Sequence, residues 1–131
     1  MSSQRRRAFA RYQTDRVETA SPMQLLVQLY QRAIASLQHA ERTPETGRTE
    51  LVRAQAIVGE LRASLRQDVS PELAGNLEDL YLFVAERVGN ALADPAHSAG
   101  LEAARQVLGT LLEAWREVAL QQGAAVRRGA A

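Results

Sequence analysis

The sequence predicts an all-α protein, an antiparallel four-helix bundle with a flexible N-terminal segment. Two observations lead to this class. Apolar residues recur at helical spacing in four successive stretches, and no stretch alternates long enough to form a strand. Short breaks containing proline or glycine separate the four stretches, and helices joined by short loops pack antiparallel. A chain of 131 residues is long enough for one such domain with a real core.

A serine–proline pair marks the start of the first helix. Ser21 is a favoured N-cap, Pro22 stands at the first helical position, and Gln24 completes a capping box. The helix is expected to end near Glu41 and Arg42, just before a Thr-Pro break.

This first helix carries a wide apolar face. One stripe at 3.6-residue spacing is predicted to face the bundle: Leu26, Leu29, Tyr30, Ala33, Ile34, Leu37 and Ala40. Leu25 and Val27 flank the stripe and widen it. Part of this face fills the core, and the remainder is a candidate groove for a partner helix. The alternative is that such surface apolar residues carry no function.

The other three helices follow the same kind of break. Their predicted bounds are 46–66, 71–93 and 98–122, and Ser70-Pro71 repeats the start signal of the first helix. Leu73 is expected on the inward face of the third helix, whereas Leu82 and Phe83 fall outside it. Gly123 is the expected residue after the last helix.

The charge is unevenly distributed along the chain. Residues 1–20 carry a net charge of +3, residues 21–122 carry −4, and the remaining tail carries two arginines. A mildly acidic body with basic ends does not fit a nucleic-acid-binding protein, whose folded part presents a basic face. We expect residues 1–18 to be a mobile Arg-rich segment, 19–122 to be the bundle, and 123–131 to be a disordered tail.

Residue types that carry chemistry are sparse. The chain has no cysteine, no phosphate-binding glycine loop and no inward Glu-x-x-His pair of the kind that holds two irons in a bundle. We therefore expect no catalytic residue, metal or cofactor, and no enzyme activity. No apolar run approaches the roughly 20 residues of a membrane span, so no stable membrane insertion is expected. One alternative stays open, a histidine phosphotransfer domain that uses His39.

Several short motifs occur in a fixed order along residues 10–120. They are Tyr12-Gln13, Thr19-Ala20-Ser21-Pro22, Leu29-Tyr30, Asn76-Leu77, Leu80-Tyr81 and a late Trp115. In these motifs the chain resembles the FliS family of flagellar secretion chaperones. The Arg-rich extension and the Arg-Arg tail depart from the family pattern.

The resemblance implies a cytoplasmic four-helix bundle that binds the disordered C-terminal segment of flagellin. Such a chaperone prevents premature polymerisation and aids type III flagellar export, so components of the export apparatus are further candidate partners. The residues predicted to bind the partner are Tyr12, Gln13, Val17, Leu25, Leu26, Leu29, Tyr30, Ile34, Leu82 and Phe83. The resemblance also implies that the N-terminal segment covers the groove in the free protein. The alternative is a helical adaptor that docks another folded partner.

Overall fold

The computed structural model of the protein describes the backbone of residues 21–65 and 70–130, with side chains as far as Ala124. Four α-helices are present: α1 (Pro22–Arg42), α2 (Arg48–Ala63), α3 (Pro71–Ala93) and α4 (Gly100–Ala130). A short 3-10 turn, Pro95–His97, connects α3 to α4. The described part contains no strand, which confirms the predicted all-α class with four helices.

The helices form a ring in which each packs against two others. Helix α1 packs against α2 and α4, and α3 also packs against α2 and α4. The guanidinium of Arg48, at the start of α2, donates to the carbonyl of Leu92 at the end of α3 (3.2 Å). Near the other end of α2, Arg62 pairs with Glu78 of α3 at 3.7 Å. These two contacts join opposite ends of the two helices, so α2 and α3 are antiparallel.

Side chains from all four helices fill the core. Those with almost no exposed surface are Tyr30, Leu37, Val58, Leu61, Tyr81, Val84, Val88, Leu101 and Leu108. Fully burying a large apolar side chain contributes about 1.5–3 kcal/mol. The bundle is therefore held chiefly by this shared apolar interior.

Local hydrogen bonds fix the starts of two helices. The Gln24 amide donates to Ser21 Oγ (3.1 Å), and the Ser21 amide donates to Gln24 Oε1 (3.0 Å), which is the predicted capping box. Ser70 caps α3 in the same manner by accepting from the Leu73 amide (3.4 Å). Both predicted helix starts are confirmed. They could be predicted because the capping residue and its partner are only three residues apart in the sequence.

The predicted end of the last helix was wrong. Helix α4 continues through Gly123 to Ala130, so 123–130 is helical rather than an irregular tail. A glycine ends a helix when it adopts a left-handed conformation. No described glycine has a positive φ. The surrounding glutamines and alanines favour a helix, and the chain continues helically through the glycine.

Two other expectations also need correction. Leu73 is 50% exposed, although its spacing predicted an inward position. It lies in the first turn of α3. Helix α2 ends at Ala63 rather than near residue 66.

The connection between α1 and α2 brings two backbones into contact at Gly47. A Cβ atom at this position would lie 2.9 Å from both Ala40 Cα and the Thr43 carbonyl oxygen. Both neighbours are backbone atoms, which cannot move aside without shifting α1. Glycine is therefore required here for the close approach of α2 to the end of α1.

We expect Gly47→Ala to lower the free energy of unfolding by about 1–3 kcal/mol, the usual cost of overpacking. Gly59→Ala is the matched control, because a Cβ there meets nothing within 4 Å. Gly59→Ala should raise the stability by about 0.5–1 kcal/mol, since alanine loses less backbone entropy in a helix. Urea unfolding followed by circular dichroism measures both changes. Equal stability of Gly47→Ala and the parent protein would contradict the close packing.

Candidate partner-binding surface

The first two turns of α1 carry a contiguous group of apolar side chains that remain half-buried. They are Met23, Leu25, Leu26, Val27 and Leu29, and we call them the α1 start surface. Farther along the same helix, Tyr30, Ala33 and Leu37 have no exposed surface. The apolar face of α1 is therefore largely buried from Tyr30 onward and only partly covered in its first two turns.

One side of the α1 start surface continues towards α2. Leu25 and Leu29 stand seven residues before Arg32 and Ser36, and a seven-residue step returns almost to the same helix face. Arg32 and Ser36 line a groove that α1 shares with α2. Leu25 and Leu29 therefore extend the α1–α2 groove towards the start of the helix.

The other side of this surface continues towards α4. Val27 and Ile34 precede Glu41 by fourteen and seven residues and so share its face. Glu41 forms two hydrogen bonds with Arg105 of α4, at 2.7 and 3.4 Å. These bonds and the charge of Glu41 raise the pKa of the Arg105 guanidinium. The α1 start surface therefore borders the α1–α2 groove on one side and the contact with α4 on the other.

The structure separates the residues that the sequence grouped together. Leu25, Leu26, Leu29 and Ile34 are half-buried on α1, as a partner-binding surface requires. Tyr30 is 0% exposed and lies in the core, so in this conformation it offers no surface to a partner. Tyr12, Gln13 and Val17 lie outside the described residues. Met23, three residues before Leu26, shares this half-buried surface and was not among the predicted residues.

Leu82 and Phe83 lie on different sides of α3. Leu82 is 42% exposed and shares its face with Gly89, whose nearest neighbour is Gln55 of α2. Phe83 is half-buried, packs against the core, and has the guanidinium carbon of Arg87 4.7 Å from its ring centroid. Arg87 in turn lies against Gly100 at the start of α4. The two residues therefore cannot line one groove.

A pair of tyrosines crosses the centre of the bundle. The hydroxyls of Tyr30 on α1 and Tyr81 on α3 are 2.5 Å apart and share a hydrogen bond. The Tyr30 ring also lies 6.5 Å from the ring of Trp115 on α4, in a tilted arrangement. Burial raises the pKa of both tyrosines, because a phenolate would have to form away from water. Both hydroxyls therefore stay protonated at neutral pH.

A polar groove of about 370 Å³ lies between α1 and α2, on the side that contains His39. It is lined by Arg32, Ala35, Ser36, His39, Glu50 and Arg53. Arg53 already pairs with Glu50 at 3.1 Å, which neutralises one of the two guanidinium charges. The imidazole of His39 is exposed to solvent. This setting is that of a solvated histidine at the last turn of a helix.

Among residues 21–65 and 70–130 there is no group of three or more His, Asp or Glu side chains that could hold a metal ion. Nor does any described helix have the length and apolar character to cross a membrane.

The fold and its surface define a class of protein: an all-α bundle with a partly covered apolar surface and no recognised metal cluster in its described part. The family model for "Flagellar protein FliS" matches residues 5–122. The chain therefore belongs to the FliS family of flagellar proteins.

A solved structure has the same fold. It is described as the crystal structure of a flagellar chaperone from bacteria, and it superposes with a TM-score of 0.69 at 23% sequence identity. The match covers 86% of this chain and 94% of the other. No curated protein matches this chain.

The buried tyrosines predict a loss of stability at alkaline pH. Their pKa values are higher in the folded than in the unfolded protein, where a tyrosine titrates near 10. The folded state therefore keeps protons that the unfolded state releases. The free energy of unfolding is therefore unaffected by these tyrosines below about pH 10. Above that pH it falls by at most about 1.4 kcal/mol per pH unit for each tyrosine that stays protonated in the folded state.

Urea unfolding at pH 8 and pH 11 measures this effect. Tyr30→Phe/Tyr81→Phe is the control, since it keeps both rings and removes both hydroxyls. Its stability should change less between the two pH values than that of the parent protein. An equal loss in both proteins would show that the tyrosine pair does not cause the alkaline effect.

Proposed function

We propose that this chain is a cytoplasmic, non-catalytic flagellar export chaperone that binds the C-terminal segment of flagellin. In this role it prevents premature polymerisation and delivers flagellin for type III export. Membership of the FliS family supports the flagellar and chaperone parts of this proposal. One structural observation supports the binding of flagellin: the five apolar residues of the α1 start surface are only half-buried.

The shape of this surface suits a helical ligand. An amphipathic helix binds by placing apolar residues at i, i+3, i+4 and i+7 into an apolar groove. Met23, Leu26 and Val27 offer the same spacing from the chaperone side. A segment that is disordered when free and helical when bound could lie along α1, with the apolar surface on both sides becoming buried.

Binding of this kind has a recognisable thermodynamic signature. Burying apolar surface gives a negative heat-capacity change, and ordering a disordered segment opposes the interaction with an unfavourable entropy. The binding free energy is what remains of the gain from apolar burial after the cost of ordering the segment has been subtracted. The chaperone can therefore hold flagellin firmly and still release it when the export machinery competes for the same segment.

The Arg-rich N-terminal segment has a proposed part in this cycle. Tyr12, Gln13 and Val17, which lie outside the described residues, cover the α1 start surface in the free protein, and flagellin displaces them. Covering an apolar surface lowers the apparent affinity by the fraction of molecules that are uncovered. In exchange, it protects free chaperone from aggregation.

The binding surface is tested by calorimetric titration with the last ~50 residues of flagellin from the same organism, a length typical of segments that fold on binding. We expect one-to-one binding with a negative heat-capacity change. Leu25→Gln should weaken binding by about 10-fold or more, because burying a leucine is worth about 1.5–3 kcal/mol. Leu25 is outside the core cluster of the described residues, so the variant should fold.

Val52→Gln is the matched control. Val52 is 51% exposed on α2, away from the α1 start surface, and its replacement should leave the affinity unchanged. Equal weakening by both variants would place the binding site elsewhere. No heat and no change in molecular size at micromolar concentrations would refute flagellin as the partner.

The covering role of the N-terminal segment is tested by deleting residues 1–18. The deletion should increase the fluorescence of a hydrophobic dye and raise the apparent affinity for flagellin by about twofold or more. Both quantities unchanged would show that the segment does not cover the surface. Circular dichroism spectra of the two proteins show whether the bundle itself is intact.

A further inference from the structure

Helix α3 differs in charge from the other described helices. Its residues carry a net charge of −3, whereas α1, α2 and α4 each carry +1. The net negative charge of the bundle is therefore concentrated on one helix, α3.

Three of the acids on α3 form a line along an exposed face. Glu72, Asp79 and Glu86 follow one another at seven-residue intervals, and all three are exposed; we call them the acidic ridge. Within the described residues neither Glu72 nor Asp79 forms an ion pair, and Glu86 reaches only the adjacent Arg87, at 4.0 Å. The ridge is therefore left largely without countercharge by the bundle.

An exposed leucine lies beside the acidic ridge. Leu82 is three residues after Asp79 and four before Glu86, so its side chain neighbours both on the helix surface. It is 42% exposed. The surface thus combines a line of negative charges with one apolar contact, which suits a ligand that carries arginines around an aromatic residue.

The same chain contains a segment of that composition. Residues 5–12 read RRRAFARY, with four arginines, no acid, and Phe9 between the arginines. Their charge is opposite to that of the acidic ridge, and Phe9 matches Leu82 in character. Other outer faces are less suitable: α1 presents mainly glutamines, and on α4 the acids Glu113 and Glu117 flank Arg116.

The segment is long enough to reach α3. The helices α1 and α3 are opposite corners of the ring, about 14 Å apart for neighbours separated by 8–10 Å. Asp79 lies about 12 Å along α3 from its first turn. The chain from Arg11 to Ser21 makes ten Cα-to-Cα steps and spans up to about 33 Å when extended, which exceeds the combined distance.

We propose that residues 5–11 dock on the acidic ridge of α3, with the arginines on Glu72, Asp79 and Glu86 and with Phe9 against Leu82. The docking anchors the N-terminal segment, and the residues between Arg11 and Ser21 are thereby held at the end of the bundle where α1 begins. The effect of this docking on flagellin binding rests on the proposed function. The docking itself does not depend on that function.

The absence of cysteine allows a direct test on the full-length protein. A nitroxide attached to Ser3→Cys broadens the amide resonances near the docked segment. We expect the strongest broadening at amides from Asp79 to Glu86 at low salt. It should decrease at about 0.5 M salt, because screening between exposed charges then acts within a few ångströms. Broadening centred on α1 or α4, or no broadening in the bundle, would overturn the proposal.

Two variants with the same loss of charge separate the ridge from general electrostatics. Glu72→Gln/Asp79→Asn/Glu86→Gln should reduce the broadening about threefold or more. Glu102→Gln/Glu113→Gln/Glu117→Gln removes three exposed acids from α4 and should leave the broadening unchanged. The same reduction in both variants would overturn the assignment to α3. Arg5→Gln/Arg6→Gln/Arg7→Gln removes three of the four arginines of the segment without changing any residue of the bundle and should match the ridge variant.

The link to flagellin is measured separately. If the docked segment holds the covering residues in place, the ridge variant binds the C-terminal segment of flagellin about twofold or more tightly than the parent protein. Unchanged affinity would overturn the regulatory consequence and leave the docking intact. Loss of flagellin binding in all proteins, with the broadening pattern as expected, would refute the proposed function and not the docking.

Discussion

The hydrogen bond between Tyr30 and Tyr81 ties together two helices that are not neighbours in the ring. Both residues are almost without exposed surface, and a buried hydroxyl without a partner costs about 1–3 kcal/mol. Helices α1 and α3 are therefore held at the register in which the two oxygens meet. Apolar contacts alone tolerate sliding, whereas a single polar pair inside an apolar core favours one arrangement.

Other contacts fix the neighbouring pairs around this centre. The backbone contact at Gly47 sets how closely α2 approaches the end of α1, and the Glu41–Arg105 pair joins that end to α4. All of these contacts, with Tyr30, lie beyond the first two turns of α1. The first two turns are held instead by the capping box and by half-buried leucines. A ligand could thus exchange contacts with the α1 start surface without disturbing the interactions that define the fold.

The sequence was most informative where the signal is local. The Ser-Pro starts of α1 and α3 depend on hydrogen bonds within four residues, so both were predicted correctly. The burial of Tyr30 depends on its contact with Tyr81, which is 51 residues away in the sequence. The spacing of residues along one helix cannot show such a contact. Gly123 was misjudged because glycine ends a helix only when its conformation is left-handed, and composition does not reveal φ.

Leu82 and Phe83 are neighbours in the sequence but not on the surface of α3. Adjacent residues on a helix are separated by about 100°, so two apolar residues outside the core stripe need not share a surface. Here Leu82 lies on the side of α2 and Phe83 on the side of α4. Which side each takes depends on the rotation of α3 within the ring, and that rotation is set by the packed core rather than by the local sequence.

The arrangement of exposed apolar residues distinguishes a binding surface from ordinary surface composition. Val52, Leu73, Leu82 and Leu120 are the most exposed large apolar side chains of the described part, and they lie on three different helices. Isolated residues of this kind are normal and contribute little area to any one contact. The α1 start surface is less exposed but contiguous, and affinity depends on burying a continuous patch. Half-burial also limits how much apolar area the free protein presents to other chains, so a surface adequate for a specific helix need not make the chaperone aggregate.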